Sequence, residues 1–558
     1  MRIIYLLPVM TMLFACASEE PVKSLKEEVE VPFAFGVFDE PTFGNYEVLI
    51  SEFGAKTGGQ FNNASAIARA IADVAAKPKG GKVIIPAGIW LSGPIELKNN
   101  INLHLQEGAL LVFSRNQMEY PLVETSFEGL NTVRCQSPIY AKNLENIAIT
   151  GKGIIDGSGD AWRMVKRSKM TDGQWNRLIK SGGVLSDSED VWYPSQSFKE
   201  GAKLVNNFNV PRNMKTMEEF ETIHDFLRPV MISIVGCKGV LLDGPTFQNS
   251  PAWNIHPLMS ENIIIRNIDV RNPWYSQNGD GLDIESCKNV IVENATFDVG
   301  DDAICIKSGK NEDGRERGIP TENLIVRNCV VYHGHGGFVV GSEMSGGVKN
   351  VLVSDMTFIG TDIGLRFKST RGRGGVVENI HIRNVNMTNI ATDAIRFNLF
   401  YTGNSPVIEP EQKQVNVDSL MALIPEVSEE TPSFKSIFMD NIVSIGAQRS
   451  IYLQGLPEMN IKDISISNST FVGKRGMECF DGSNITLDNV IIGSDVQPAI
   501  RMVNAKEVQF DGLSLQGDSK GIEIFGPFGG IVSFTETNVS DESIVVGPNV
   551  DKALIQIN

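Results

Sequence analysis

The chain lacks any uncharged apolar run as long as the roughly 18 residues that a membrane-spanning helix needs, so the sequence predicts no such helix. It also lacks an excess of positive charge, because 50 lysine and arginine residues stand against 67 aspartate and glutamate residues and give a net charge of −17. A chain this acidic is a poor general binder of nucleic acid, and we expect no nucleic-acid partner. A polyanionic substrate would require basic residues concentrated in one place.

Cysteine is scarce, with 7 residues in 558 and no pair at the CxxC spacing of a zinc site. This spacing argues against a zinc site. We expect no metal and no cofactor. A chain of this length can bury a large core without disulfides. We expect most cysteines other than Cys16 to be buried free thiols, namely Cys135, Cys237, Cys287, Cys305, Cys329 and Cys479.

The N-terminal residues have the pattern of an export signal. Arg2 is followed by an apolar run that ends at Ala15, which is typical of a signal peptide over residues 1–15. The next residue is Cys16, and the sequence Leu-Phe-Ala-Cys resembles the lipobox of bacterial lipoproteins, in which that cysteine carries the lipid. Residues 16–45 are polar and acidic, and we interpret them as a lipid-anchored linker.

This pattern predicts an exported bacterial lipoprotein of the outer membrane. Its domain would lie at the cell surface or at the periplasmic face and would contact the membrane through the lipid anchor only. The alternative is ordinary secretion with a chance cysteine at position 16.

Short apolar runs that begin with a polar residue or a glycine recur along the chain, and those from 239 to 379 start at intervals of 23 to 34 residues. Repeats of this length with two or more short strands and no helix between them fit the coils of a parallel β-helix, whereas a β-sandwich would not repeat. The sequence therefore predicts an all-β domain, a parallel β-helix, over residues 46–555. The runs begin at Asn146, Gly239, Asn262, Asn289, Asn323, Asn350, Asn379, Asp463, Asn484 and Glu507.

Two helical patterns interrupt this β-rich texture. One begins near Asn63 and predicts an N-terminal capping helix, while the other occupies an insertion over residues 159–228, in which Thr216 begins a capping box. We expect the insertion to lie beside the coils and to close one end of a cleft. The apolar face of the capping helix consists of Ile67, Ala70, Ile71 and Val74.

Acidic residues are concentrated on two consecutive coils. Asn278-Gly279-Asp280 and Gly300-Asp301-Asp302 are one coil apart, since 21 residues separate Asp280 from Asp301. Equivalent positions on adjacent coils lie roughly 4.8 Å apart, so the carboxylates share one site. Like charges this close raise the pKa of at least one carboxyl, which allows it to act as a general acid. The alternative is that these aspartates only form turns.

The following coils carry histidine and cations. Gly334-His335-Gly336 lies on the next coil, and Arg366-Phe367-Lys368 lies one coil further along. Alternation along a strand places Arg366 and Lys368 on one face, and Arg371 and Arg373 extend this basic patch. Such a patch can bind an anionic substrate within an acidic protein.

These four segments, in this order and on successive coils, resemble the four motifs of the polygalacturonase family, glycoside hydrolase family 28. The resemblance covers roughly residues 45–550. Gly279 and Phe367 stand where fungal members usually have Thr and Ile, but neither change removes a chemical group that the mechanism needs. The resemblance implies a right-handed, single-stranded parallel β-helix of the pectin lyase-like kind. It also implies inverting hydrolysis of α-glycosidic bonds next to galacturonic acid in pectic polysaccharide or oligogalacturonide.

The resemblance further implies a role for each motif residue. Asp301 would be the general acid, and Asp280 with Asp302 would activate water on the opposite face of the sugar. His335 would orient Asp301 or contact the sugar. The substrate-binding residues would be Asn278, His256, Arg366, Lys368 and Tyr401, with a packed corner histidine as the alternative for His256.

Two other classes of protein stay open on the sequence alone. A pectate lyase-like enzyme would have the same architecture and use calcium, although no acidic set of the calcium-loop type is present. A non-catalytic carbohydrate-binding β-helix would bind sugar without turnover. Within the family, rhamnogalacturonan and xylogalacturonan are alternatives to homogalacturonan, and a cleft closed by the insertion favours exo over endo attack. We expect a monomer.

Overall fold

The computed structural model describes residues 30–205, 209–401, 417–517 and 519–557. The predicted signal peptide and Cys16 lie outside these ranges. Most strands belong to one 36-stranded sheet in which successive coils pair in parallel, so the predicted parallel β-helix is confirmed. Its first strand is Tyr46–Leu49 and its last is Ile555–Ile557. Across the described ranges, no helix is both long and apolar enough to span a membrane.

The strands form three rows that run along the β-helix. Row one contains Tyr46–Leu49, Gly81–Ile85, Ile101–Leu105, Glu145–Gly151, Lys238–Asp243, Glu261–Arg266, Lys288–Glu293, Thr321–Arg327, Lys506–Asp511, Val532–Thr535 and Ile555–Ile557. Row two contains Gly88–Ser92, Ala109–Phe113, Ile154–Asp156, Thr246–Gln248, Asp269–Arg271, Thr296–Asp298, Val330–His333 and Ser514–Gln516. Row three contains Ile95–Glu96, Ile139–Lys142, Ile232–Val235, Ile255–Leu258, Leu282–Glu285, Asp302–Lys307, Gly336–Gly341, Leu365–Lys368, Asp393–Asn398, Ile500–Val503, Ile522–Phe525 and Ile544–Val546.

Long strands cross from one row to the next. Val348–Ile359, Val376–Thr388 and Gly482–Ser494 belong to rows one and two, and Ser433–Gln454 and Ile461–Phe480 pass through all three. Alternation in each strand sends apolar side chains into the core and leaves polar ones outside.

A ladder of asparagines explains the polar residue that begins many repeats. Asn289 donates its side-chain amide to Asn262 at 3.0 Å, and Asn323 donates to Asn289 at 3.1 Å. Asn350 and Asn379 continue the ladder at 3.0 and 2.7 Å. All five have a φ between 55° and 58°, the left-handed conformation that asparagine tolerates better than most residues.

The predicted capping helix is confirmed as α1 (Ala64–Ala75), whose predicted apolar face is buried. The insertion leaves the β-helix between rows two and three and contains α2 (Asp172–Lys180), α3 (Gln196–Leu204) and α4 (Met217–Glu221). The capping box at Thr216 is present. Two further short helices are α5 (Asn311–Arg317) and α6 (Val417–Met421). Three antiparallel strands complete the insertion, namely Val165–Lys166, Val184–Leu185 and Val191–Tyr193.

An antiparallel hairpin, which sequence reasoning missed, lies beside the insertion. Its strands are Leu122–Phe127 and Leu130–Cys135. Val133 and Cys135 pack in one apolar cluster with Phe198 and Phe226 of the insertion. The hairpin and the insertion therefore form one wall.

The second half of the expected linker is docked on the β-helix. Phe38 and Phe43 pack against a small apolar cluster on the outside of row one, and Glu40 forms an ion pair with Arg266. Residues 16–29 lie outside the described ranges. The six cysteines other than Cys16 are buried free thiols, as predicted.

Candidate active site

The motif residues lie at four consecutive strands of row three, and a fifth strand follows them. The five strands are numbered β1 (Leu282–Glu285), β2 (Asp302–Lys307), β3 (Gly336–Gly341), β4 (Leu365–Lys368) and β5 (Asp393–Asn398). Each strand pairs in parallel with the next. Asp280 precedes β1, Asp301 immediately precedes β2, which begins at Asp302, and His335 precedes β3. The predicted succession of the motifs on adjacent coils is therefore present.

The three aspartates form one compact cluster. Asp280, Asp301 and Asp302 each have a carboxylate oxygen within 4.8 Å of the others. Asp280 and Asp302 are buried, and Asp301 is partly exposed. The 4.8 Å limit joins the nearest oxygens, whereas the roughly 6.5–9.5 Å of inverting glycosidases separates whole carboxyl groups, so the two distances are not compared directly.

Two glycines allow the acidic turns to pack this closely. A Cβ atom on Gly279 would lie 1.8 Å from Ser276 Oγ, and one on Gly300 would lie 2.3 Å from the same atom. Ser276 Oγ can rotate away, but Ser276 Cβ, at 2.6 Å from the Cβ position of Gly279, and the Pro273 carbonyl oxygen, at 2.5 Å from that of Gly300, cannot, so a side chain at either position requires movement of the backbone. The glycine at position 279, where fungal members usually have Thr, therefore has a local steric reason. Phe367, which stands where they usually have Ile, stacks on Phe397 in the core with 4.3 Å between ring centres.

Asp302 is held as an anion by the two cations of β4. Its Oδ1 accepts a hydrogen bond from Arg366 Nη1 at 3.0 Å, and its Oδ2 accepts one from Lys368 Nζ at 2.7 Å. Burial alone would raise the pKa of Asp302, but the charges of Lys368 and Arg366 outweigh burial and hold that pKa well below its usual range.

Asp301 is paired with His335. The distance from His335 Nδ1 to Asp301 Oδ1 is 3.2 Å. Burial opposes ionisation of Asp301, yet the hydrogen bond and charge of His335 lower the pKa of the carboxyl. The same hydrogen bond raises the pKa of His335, so the ligand-free site favours an imidazolium–carboxylate pair.

Asp280 is the carboxyl that favours the protonated form. Burial raises its pKa most strongly, and the charges of Asp301 and Asp283 raise it further. Its Oδ1 has no hydrogen-bond partner among the described residues. The expected raised pKa is thus present in the ligand-free cluster, but it belongs to Asp280, while His335 lowers the pKa of Asp301.

A buried ion cluster beneath the motif residues was missed by sequence reasoning. Lys307 Nζ lies 3.0 Å from Glu343 Oε2 and 3.5 Å from Asp283 Oδ1. It also lies 4.7 Å from the centre of the Trp253 ring. Charged residues inside the otherwise apolar strands β1 and β2 were the available signal for Asp283 and Lys307.

The wall of hairpin and insertion is hydrogen-bonded to the coil that carries Asp280. Asn209 of the insertion donates its amide to Glu128 at the hairpin tip at 2.6 Å and to Asn278 at 3.1 Å. Arg228 donates to the same Asn278 oxygen at 2.8 Å. Asn278 therefore joins the wall to the coil of Asp280, and its substrate contact stays a prediction.

The end of the site away from the wall contains a cavity of about 90 Å³. Tyr401 lies over the cations of β4, with 5.8 Å from its ring centre to Arg366 Cζ and 5.2 Å to Lys368 Nζ. Tyr401 therefore lies beside the cations of β4, and its substrate contact stays a prediction. The cavity is lined by Arg366, Phe367, Lys368, Arg396, Asn398 and Tyr401.

The basic patch differs from the expected one beyond Arg366 and Lys368. Arg371 is paired with Glu458, and Arg373 donates to Asn311 and to the carbonyl oxygen of Ser342. Neither residue lines the cavity, whereas Arg396, which lies outside the expected patch, does. The signal for Arg396 was its place in the sequence Asp-Ala-Ile-Arg-Phe, one coil after Arg366.

His256 is a buried structural residue in the ligand-free site. Its Nε2 lies 2.9 Å from Glu285 Oε2, and Glu285 also accepts a hydrogen bond from Arg317 at 2.7 Å. Its ring packs edge-on against Trp253 with 5.1 Å between ring centres. These contacts match the packed alternative of the two interpretations.

The chemistry that this arrangement supports is acid–base chemistry next to a bound anionic group. Paired carboxylates in different protonation states can donate and accept protons, and adjacent arginine and lysine side chains can bind a carboxylate. Both oxygens of Asp302 already accept hydrogen bonds from cations, which disfavours a divalent cation in the cluster.

Comparison with known proteins places this site in a family. The chain is 30% identical over 451 residues to an exo-poly-α-D-galacturonosidase of Dickeya chrysanthemi, covering 77% of this chain and 71% of that protein. It is 28% identical over 368 residues to a probable polygalacturonase of Vitis vinifera, covering 64% of this chain and 63% of that protein. The crystal structure of a hyperthermoactive exopolygalacturonase from Thermotoga maritima superposes with a TM-score of 0.65 at 33% identity, covering 81% of this chain and 93% of the other.

The family model described as glycosyl hydrolases family 28 matches residues 224–431, which contain all four motifs. The chain therefore belongs to glycosyl hydrolases family 28 and is a glycoside hydrolase.

Proposed function

We propose that this glycoside hydrolase is an exo-acting polygalacturonase that removes sugars from one end of a galacturonic acid chain. The observation that carries the exo assignment is the hydrogen-bonded junction of the wall with Asn278, made by Asn209, Glu128 and Arg228. We infer that this junction closes one end of the site. A polymer cannot pass through a site closed at one end, so only a chain terminus fits. The similar Dickeya and Thermotoga proteins, which are named as exo-acting enzymes, support the same assignment.

The protonation states of the three aspartates suggest a catalytic role for each. Asp301 donates a proton to the leaving oxygen, and His335, whose Nδ1 lies 3.2 Å from Asp301 Oδ1, supplies that proton to Asp301. Asp302 stays ionised and accepts a proton from the attacking water, while Asp280 holds this water in place. Arg366, Lys368 and Tyr401 bind the substrate carboxylate in the cavity.

The mode of attack is tested by the early products from demethylated polygalacturonate. We expect monosaccharide or disaccharide alone at low conversion, and Asn209→Ala, which removes two hydrogen bonds of the wall, adds longer products. Early release of mixed long oligomers by the unaltered enzyme would reject exo attack. The same assay on rhamnogalacturonan and xylogalacturonan tests the alternative substrates, for which we expect slower release.

The stereochemical outcome has its own test. Proton NMR of the first product distinguishes the two anomers. The inversion implied by the family resemblance predicts that the β-anomer appears first from an α-linked substrate. An initial α-anomer would indicate retention.

Membership of a glycosyl hydrolase family disfavours the lyase and the non-catalytic alternatives.

The sequence around Cys16 also supports the proposal that the enzyme is an exported lipoprotein. Cys16→Ala is expected to move it from the membrane fraction to the soluble fraction, and continued retention would contradict the lipobox interpretation. Protease treatment of intact cells separates cell-surface from periplasmic orientation, and gel filtration of the soluble variant tests the expected monomer.

A further inference from the structure

Two adjacent coils contribute basic side chains to the cavity at the end of the site away from the wall. Arg366 and Lys368 belong to β4, and Arg396 and Asn398 belong to β5. The six lining residues include three cations and no carboxylate, although the whole chain carries a net charge of −17. A volume of about 90 Å³ exceeds what a single water molecule needs, so the cavity is large enough for an anionic group.

The register of the strands repeats the cationic pattern. Arg366 pairs with Arg396 and Lys368 pairs with Asn398 across β4 and β5. Paired residues in adjacent parallel strands lie roughly 4.8 Å apart, which is comparable to the length of one sugar unit. The Arg–Lys pair that binds one carboxylate is therefore followed, one sugar length further from the closed end, by an Arg–Asn pair.

Arg396 is held in place but keeps donors for a ligand. Its Nη1 donates to Asp393 at 3.0 Å, and Arg449 holds the other oxygen of this buried carboxylate at 2.7 Å. The guanidinium lies 5.3 Å from the centre of the Tyr452 ring. Within the described part of the chain, Arg396 donates through Nη1 only, and its side chain is 32% exposed. A fixed arginine with free donors is suited to carboxylate binding.

We propose that Arg396 and Asn398 bind the carboxylate of the second sugar on the open side of the scissile bond, next to the sugar bound by Arg366, Lys368 and Tyr401. This inference rests on the proposed function. It names Arg396 as a specificity-determining residue, because a polymer in which a neutral sugar follows the galacturonate has no carboxylate at this position. Two adjacent galacturonates are therefore favoured over an alternating acidic and neutral backbone.

The test compares oligogalacturonates of increasing length with purified full-length enzyme. When the shortest cleavable oligomer is bound, one of its sugars lies on the open side of the scissile bond. When the next longer oligomer is bound, two of its sugars lie there. For Arg396→Gln we expect KM for the longer oligomer to rise about tenfold with little change in kcat, and kcat/KM for the shortest to change less than twofold. Asn398→Ala is expected to give a smaller change in the same direction.

Arg501→Gln is the matched control. Arg501 lies on the same outer face of row three, three coils beyond Arg396, and is 33% exposed and paired with Glu523. For Arg501→Gln we expect no change in KM or kcat with either oligomer. If the Arg396→Gln variant does not fold, the same comparison is made with Asn398→Ala and with Arg396→Lys. The lysine variant keeps the positive charge.

Equal losses on both oligomers would overturn the proposal, and so would unchanged KM for the longer one. A wild-type enzyme that releases no sugar from any oligogalacturonate would instead reject the proposed function. The two failures are therefore distinguishable.

Discussion

At the scale of single residues, three neighbouring carboxyls differ in protonation because their neighbours differ. Asp302 has two cations, Asp301 has one histidine, and Asp280 is buried beside other carboxylates. Their convergence was predictable from the repeats, because adjacent coils place equivalent positions together. The residue that keeps the proton was not predictable, since this depends on partners such as His335 and on burial.

The raised pKa of Asp280 makes the stability of the enzyme depend on pH. The folded state keeps a proton on Asp280 at pH values where the unfolded chain, with a pKa of about 3.9, has lost it. The free energy of unfolding therefore falls as pH rises from about 4 to the raised pKa, by at most about 1.4 kcal/mol per pH unit. Asp280→Asn removes this penalty, so its Tm relative to wild type should rise with pH, while its activity is lost. A Tm difference that is constant from pH 4 to 8 would contradict this account.

Neutralising Arg366 should affect both binding and chemistry, because this residue contacts Asp302 and lines the cavity. A hydrogen bond to a charged group contributes about 1.5–3 kcal/mol, so Arg366→Gln should lower kcat/KM on polygalacturonate roughly 10- to 100-fold. Loss of the positive charge should also raise the pKa of Asp302 and shift the acidic limb of the pH profile to higher pH. Arg271→Gln, an exposed change on row two, should leave both quantities unaltered. Equal effects of the two substitutions would indicate a general electrostatic effect.

At the scale of elements, the repeat pattern predicted the β-helix but not the part of the wall formed by the hairpin. Leu122–Cys135 has the same short β-rich runs as the coils, and antiparallel pairing depends on the turn between them. Glu128 and Gly129 in that turn both have positive φ, at 49° and 72°, as a tight hairpin requires. Gly129 was the only local signal. The role of the hairpin against the insertion depends on tertiary packing that no local pattern contains.

The asparagine ladder should stabilise the coils through both hydrogen bonds and backbone conformation. Asn323 donates to Asn289, accepts from Asn350 and has a φ of 58°. Asn323→Ala should lower Tm, because alanine loses both hydrogen bonds and disfavours positive φ. Asn323→Gly loses the same bonds but tolerates the backbone, so its Tm should lie between those of wild type and the alanine variant. Identical Tm values for alanine and glycine would show that the backbone conformation contributes nothing.

At the scale of the whole molecule, the net charge of −17 is compatible with an acidic substrate because the cations that line the cavity are concentrated on two adjacent strands. The sequence predicted a local basic patch but extended it to Arg371 and Arg373, which follow Arg366 closely along the chain. The structure instead adds Arg396 from the next coil. Sequence proximity and spatial proximity differ here because a β-helix brings together residues one coil apart.

The central claim is that the cluster of Asp280, Asp301 and Asp302 hydrolyses a galacturonic acid chain. Its most direct measurement is the release of reducing ends from demethylated polygalacturonate by the unaltered enzyme and by Asp301→Asn, with ultraviolet absorbance recorded in parallel and with a chelator present or absent. We predict saturated products, no effect of the chelator, and a loss of about 10²- to 10⁴-fold in kcat for Asp301→Asn without a large change in Tm. Sugar release at the wild-type rate by Asp301→Asn, or a chelator-sensitive rise in absorbance from unsaturated products, would contradict the account.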